Sequence, residues 1–362
     1  MRSTAISKPW RARVAATAAA LACCLAVPTF SGPPSAQAAS GQPIIQVAPS
    51  AARPGQIHVS ADFPANQAGR PVALQRKSGS RWVVVSRGKV PKGGWVTFAV
   101  PARVGTAWAT YRVTAPRYKT RGPLTSPSTS GKGWRSTFKD EFTGTKLNST
   151  LWATRYPGLY AGLRKCSATE KRVPTVKGGR VVLRVKKTTI TKRGCPSGVY
   201  TNTMISTTNT FMAKYGTFAA RIKFSPEQGH HGAFWLQSDT GLGAEIDIAE
   251  FFGLGRRDSG LTTFVHRKNT KIGGIRDLRG IMGRGQNPAN SYHVYSVDWT
   301  PRDYVFRVDG KPVLRTERMI SRVPQYIILS QVTSDWEVRL LKKGRVPSPT
   351  YVDWVRVWQS TS

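Results

Sequence analysis

Short runs in which apolar residues alternate with polar ones recur along most of this chain, separated by clusters of Gly, Pro, Ser and Asn. A period of two sets successive side chains on opposite faces, so each run predicts a β-strand with one buried face. The first group lies at 56–63, 71–77, 81–86, 95–100 and 110–115. Within it, 75–82 predicts a hairpin turning at Ser78-Gly79-Ser80. Such a density of short strands predicts a small β-sandwich over residues 43–116. Residues 117–133 are mostly Pro, Ser, Thr and Gly with scattered cations and predict a linker. Alternation then returns at 180–185, 216–224, 232–237, 244–251, 261–266, 292–299, 304–308, 325–332 and 351–358. These runs predict a larger β-sandwich or barrel over 134–360, with one sheet curved to hold a polymer. The fold class is all-β.

One of these runs carries unusual chemistry. In Gly243-Ala244-Glu245-Ile246-Asp247-Ile248-Ala249-Glu250-Phe251-Phe252, Ala244, Ile246 and Ile248 alternate with Glu245 and Asp247. Strict alternation would put residue 249 on the acidic face, yet 249 is Ala and the third acid follows it. A one-residue bulge near Ile248-Ala249 restores Glu250 to that face. Two carboxyls brought together this way suit double displacement at an anomeric carbon, where one attacks and the other, protonated, gives its proton to the leaving oxygen. An acid between them can hold a shared proton, because adjacent like charges resist full ionisation. A calcium-binding edge or a solvated acidic strand is the competing reading.

Composition sharpens the picture. The chain has 362 residues with 55 Lys and Arg against 18 Asp and Glu, a formal charge of +37. Three of those few acids therefore fall within one strand. Such a charge draws polyanions, but no helix-turn-helix, zinc-ligand or RNA-binding pattern accompanies it, so nucleic acid is not expected. An anionic wall polymer or an acidic glycan surface, sulfated or uronic, would account for the charge as a partner, and general solubility at a preferred external pH is the competing reading. Residues 1–38 have the layout of a secretory signal peptide: a basic start, an apolar run at 14–27, and Ala36-Gln37-Ala38 before the cut. Lipid modification at Cys23 is the alternative. No other run is long and apolar enough to span a bilayer. Cleavage leaves Cys166 and Cys195, which a secreted chain is expected to bond, contributing on the order of 3 kcal/mol in the chain-entropy model. No Ser sits in a G-x-S-x-G elbow, which disfavours a serine hydrolase.

The larger part resembles glycoside hydrolase family 16, in the bulged branch that includes laminarinase-like enzymes. The resemblance rests on Phe138-Lys139-Asp140-Glu141-Phe142, on 215–223, on 244–250 and on 351–358, in that order. The small sandwich resembles, in pattern, the immunoglobulin-like modules of secreted bacterial proteins. Family resemblance implies a jelly-roll sandwich with a cleft across its concave sheet. It implies Glu245 as nucleophile, Asp247 as its electrostatic helper and Glu250 as acid/base. It also places His266 beside the acids, where an ordinary half-buried strand histidine is the competing reading. Trp235 shares strand parity with His231, Ala233 and Gln237, so these face the cleft together, the indole offering a sugar its apolar face. Trp336 is a further cleft candidate, or core. The resemblance implies a structural calcium on the convex side, held by Asp353, Glu141 and the Gly179 carbonyl; a salt bridge at Asp353 is the alternative. No cofactor is needed for the chemistry. Where family glucanases commonly have Trp-Pro before Ala-Phe-Trp, this chain has His231-Gly232, which moves or removes a stacking platform.

The expected protein is thus a secreted, monomeric, retaining endo-glycosidase of a β-linked polysaccharide, a β-1,3- or β-1,3/1,4-glucan. Alternatives are a glycan-binding or wall-associated protein without turnover, and an enzyme of the same fold acting on an acidic or sulfated galactan or as a transglycosylase.

Overall fold

The computed structural model describes residues 42–155, 158–159, 164–169, 174–255, 260–342 and 345–361. The leader at 1–38, Cys23 included, lies outside the described residues. Among the described residues, two face-to-face sheets of eight and ten strands build the larger part. The first runs Thr175–Val176, Val181–Leu183, Thr350–Ser360, Gly216–Lys223, His293–Trp299, Tyr304–Val308 and Lys311–Thr316, with Trp134–Asp140 along Thr350–Ser360. The second is centred on Tyr200–Ser206, Tyr326–Val332, His231–Gln237, Glu245–Phe251, Leu261–Arg267 and Thr270–Ile275. Neighbours distant in sequence make it a jelly-roll β-sandwich.

Alternation explains the packing. Phe218, Phe234, Ile246, Tyr295, Phe306, Leu329 and Val355 project between the sheets and are essentially buried. Each such side chain contributes about 1.5–3 kcal/mol by leaving water. The strand Tyr200–Ser206 escapes the sequence reading because Thr201, Asn202 and Thr203 blur its alternation. Asn202 is nonetheless fully buried, its Oδ1 accepting the Thr333 N–H at 3.1 Å.

The smaller part has a three-stranded sheet of Ile44–Pro49, Gln56–Asp62 and Trp95–Pro101, and a five-stranded one containing Pro71–Ser78, Arg81–Lys89 and Thr110–Ala115. Val59, Leu74, Phe98, Tyr111 and Val113 fill the space between them. The stretch expected as a linker is largely built into this sheet. Leu124–Thr125 and Thr129–Ser130 both pair with Thr110–Ala115. Arg70, fully buried, donates to the carbonyls of Pro116 at 2.7 Å and Gly122 at 2.5 Å. A buried guanidinium needs its donors matched, and these carbonyls match them, which clamps the connecting chain.

The two parts belong to one compact unit, Gln42–Ser362. Ala51 packs with Ala219, Val294 and Trp354 on the outer face of the eight-stranded sheet. The guanidinium groups of Arg307 and Arg315 each lie 5.6 Å from the Trp95 ring, so it serves this junction. No helix among the described residues is long and apolar enough to cross a membrane.

Candidate active site

The acid strand Glu245–Phe251 is flanked by His231–Gln237 and Leu261–Arg267. Its register slips where the sequence demands it. Trp235 opposes Asp247 and Phe234 opposes Ala249, so Ile248 is the extra residue. Ile248 and Ala249 both reach the core, and Glu250 turns outward with Glu245 and Asp247. All three carboxyls line one open cleft, together with His231, Ala233, Trp235 and Gln237 from the neighbouring strand.

Each acid has a distinct partner. Glu245 Oε2 accepts the Gln237 Nε2–H at 3.1 Å, and Gln237 Oε1 in turn accepts from Arg155 at 2.5 Å. Asp247 Oδ2 is 3.0 Å from His266 Nε2. Glu250 Oε1 is 2.8 Å from His231 Nε2, and its Oε2 accepts from Thr262 Oγ1 at 3.3 Å. Burial pushes the Glu245 carboxyl above its ordinary range, opposed by the charge of His266 and reinforced by that of Glu250. Asp247 is raised well above it, by burial first and then by its two acidic neighbours. Burial would also raise Glu250, but the His231 hydrogen bond and charge outweigh it and lower that carboxyl.

Trp235 lies in the cleft, its indole N–H donating to Ser330 Oγ at 3.2 Å, with the Arg155 guanidinium 5.2 Å from the ring. Trp336 is neither core nor cleft floor. It is 42% exposed on the short helix Asp335–Val338 and packs near Phe252, ring centroids 6.3 Å apart. His231 faces the cleft, yet one ring face lies against Phe252 with centroids 4.1 Å apart. Gly232 follows it for lack of room, since a Cβ there would sit 2.7 Å from the Phe224 ring.

The calcium set does not fit. Asp353 is held by Arg221 at 2.5 Å, and both Glu141 oxygens accept from Arg356 at 2.8 Å. Calcium takes about six to eight oxygen ligands, and here guanidinium groups occupy the carboxylates and repel a dication. The salt bridge weighed for Asp353 is what the structure contains. Among the described residues Glu245, Asp247 and His266 offer donor atoms within 4.8 Å of one another. One of these donors is an imidazole nitrogen, a poor match for a hard cation.

Sequence reasoning did not single out Arg155, Arg164, Met204, Ser330 and Val332, which complete the cleft lining. Glu337 was missed as well, although Ser334-x-x-Glu337 is a readable helix-start pattern. The Cys166–Cys195 disulfide is present, with Cα atoms 5.5 Å apart. It stands two residues from Arg164 at the cleft, and Asp335 accepts the backbone N–H of Lys165 and Cys166 at 3.0 and 2.9 Å.

Comparison with known proteins gives a consistent result. A family model described as Glycosyl hydrolases family 16 matches residues 164–355. A β-glucanase of Acetivibrio thermocellus is 30% identical over 152 residues, 40% of this chain and 42% of that protein. A probable xyloglucan endotransglucosylase/hydrolase of Arabidopsis thaliana is 30% identical over 118 residues, 31% of this chain and 37% of that protein. The matched segment thus spans less than half the length of either relative. The laminarinase catalytic domain of Thermotoga maritima MSB8 superposes with a TM-score of 0.54 at 19% identity, covering 64% of this chain and all of that one. The endo-β-1,3-glucanase of Pyrococcus furiosus gives 0.53 at 22%, covering 63% of this chain and 95% of that one. At such identities the likeness speaks to the fold.

Proposed function

The chain belongs to glycosyl hydrolases family 16, and from that premise we propose that it is a secreted retaining endo-glycosidase cutting a β-1,3- or β-1,3/1,4-glucan. One observation carries the reading: the bulge at Ile248 turns Glu245, Asp247 and Glu250 together into an open cleft. An open groove admits the middle of a polymer, as endo cleavage requires.

In this reading Glu245, oriented by Gln237, attacks the anomeric carbon while Glu250 delivers a proton to the departing glycosidic oxygen. Asp247, between them and 3.0 Å from His266 Nε2, is the electrostatic helper, its carboxyl pushed towards the neutral form by burial and by its acidic neighbours. Glu250 then takes a proton from water as water displaces Glu245. Trp235 offers the sugar an apolar face. The β-glucanase name of the Acetivibrio relative supports the substrate class. The leader-like start and the disulfide support work outside the cell, where disulfides persist.

For docking we infer an anionic polymer partner at the outer face of the five-stranded sheet. Cross-strand partners share a face, which places Arg112, Gln75 and Val84 in one row and Lys77 and Trp82 in the next. Arg112 lies 4.2 Å over Trp82, and Arg87 and Lys89 extend the same cationic face.

Reducing-end release from laminarin, lichenan, agar and carrageenan tests the function, with NMR of the first-formed anomer testing retention. Release from a β-glucan with the β anomer formed first is expected. Activity confined to the sulfated galactan would replace the substrate, and first-formed α anomer would end the double-displacement reading.

A further inference from the structure

His231 is held between two carboxylates. Its Nε2 is 2.8 Å from Glu250 Oε1 and its Nδ1 is 3.7 Å from Glu337 Oε1. Glu337 has a side chain only 2% exposed, and its Oε2 accepts the Ser334 backbone N–H at 2.6 Å. Phe252 covers one face of the imidazole. A ring gripped at two edge atoms and covered on one face is poorly placed to serve as a stacking platform for sugar. It is well placed to hold and hand over a proton.

We propose that His231 is the proton store of the site, holding the catalytic proton on Nε2 at rest and passing it to Glu250 Oε1 for bond cleavage. The proposal rests on the reading of Glu250 as acid/base. In the resting site the pair shares one proton as imidazolium and carboxylate. A sugar chain filling the cleft excludes water, and lost solvation disfavours a charged pair relative to a neutral one. The Nε2–H bond then breaks and an O–H bond forms on Glu250. That proton goes to the glycosidic oxygen as the C–O bond breaks with its electron pair staying on oxygen, while Glu245 bonds the anomeric carbon. In the second half Glu250 takes a proton from water, the water oxygen bonds the anomeric carbon, the bond to Glu245 breaks, and the proton returns to Nε2.

The surroundings agree with this role. Burial alone would lower the His231 imidazole, but the Glu250 hydrogen bond and the charges of Glu337 and Glu250 raise it, with Arg164 opposing. Glu250 in turn faces His231, His266 and the Thr262 hydroxyl, with Glu245 and Asp247 on its own strand. Glu337 therefore lets an acid that is ionised at rest remain one proton away from use. Two groups so coupled titrate as a pair. The pair loses its last proton at a higher pH than Glu250 would without the imidazole.

The test combines kinetics with a titration that needs no turnover. His231→Gln and His231→Phe are assayed on polymeric β-glucan and on an aryl β-glycoside whose leaving group needs no proton. Expected are a loss of about 100-fold in kcat on the polymer with little change in KM, less than about 3-fold loss in the glycosylation step on the aryl substrate, and an alkaline limb of kcat/KM moved to lower pH. In the full chain with labelled imidazoles, the His231 resonance should titrate above the ordinary histidine value and move down in Glu250→Gln and in Glu337→Gln. Equal losses on both substrates with an unmoved limb, or a His231 titration indifferent to Glu250→Gln, would overturn the store. A wild type that cleaves neither substrate would overturn the glycosidase reading instead.

Discussion

Arg315 reaches from the large sandwich to Asp62 in the small one, its Nη2 3.0 Å from Oδ2, while its Nε holds Asp303 at 2.7 Å. Asp303 is fully buried, so this guanidinium both ties the junction and neutralises a buried carboxylate. Arg315→Ala is expected to cost about 3 kcal/mol in urea unfolding, because it strands a buried carboxylate. Removing residues 42–130 should do worse, exposing Ala219, Val294 and Trp354; a truncated chain that stays soluble and binds no hydrophobic dye would contradict the docking.

The catalytic pair can be assigned by chemical rescue. Glu245→Gln and Glu250→Gln should each lower turnover by several orders of magnitude while leaving the melting curve nearly unchanged. Added azide should give a β-glycosyl azide with Glu250→Ala and an α-glycosyl azide with Glu245→Ala. The reverse pattern would exchange their roles.

Acid sensitivity should arise at the junction as well. Burial, with Arg307 and Arg53 adding to it, lowers His58 from 6.5 to about 3. The unfolded chain binds that proton and the folded one does not, so stability is full above about pH 6.5 and falls as pH drops towards 3. Urea midpoints should decline on acidification in the wild type and less steeply in His58→Leu. Some slope should remain, since burial also lowers His230 to about 4. Parallel slopes in the two proteins would rule His58 out as a source.

Retention on an anionic polymer should fall steeply with salt, because exposed charges are screened beyond about 8 Å at physiological ionic strength. Reversing Lys77, Arg87 and Lys89 to Glu should weaken retention on teichoic acid or heparin columns without changing cleavage of a small neutral oligosaccharide. Salt-independent retention, or equal loss of cleavage, would place the binding elsewhere.

Much of the site could be read from the chain because its information is local. Period-two alternation placed Glu245 and Asp247 on one face, and the interruption at Ala249 called for the bulge that turns Glu250 to join them. The same parity put His231, Ala233, Trp235 and Gln237 in the cleft lining. Other elements carried no such signal. Leu124–Thr125 and Thr129–Ser130 have turn-like composition and become strands only because Thr110–Ala115 offers open backbone groups to pair with.

The sequence by itself determined which side chains the cleanly alternating strands turn to the core and which to the cleft, since that follows from backbone geometry over a few residues. Tertiary structure alone decided which partner each acid meets. Glu337 reaches His231 from a helix far along the chain, Arg155 reaches Glu245 through Gln237, and arginines take Asp353 and Glu141 from the expected calcium. Such pairings depend on how distant segments stack and on which charge best offsets the desolvation of another. No repeat or spacing along one segment encodes that balance.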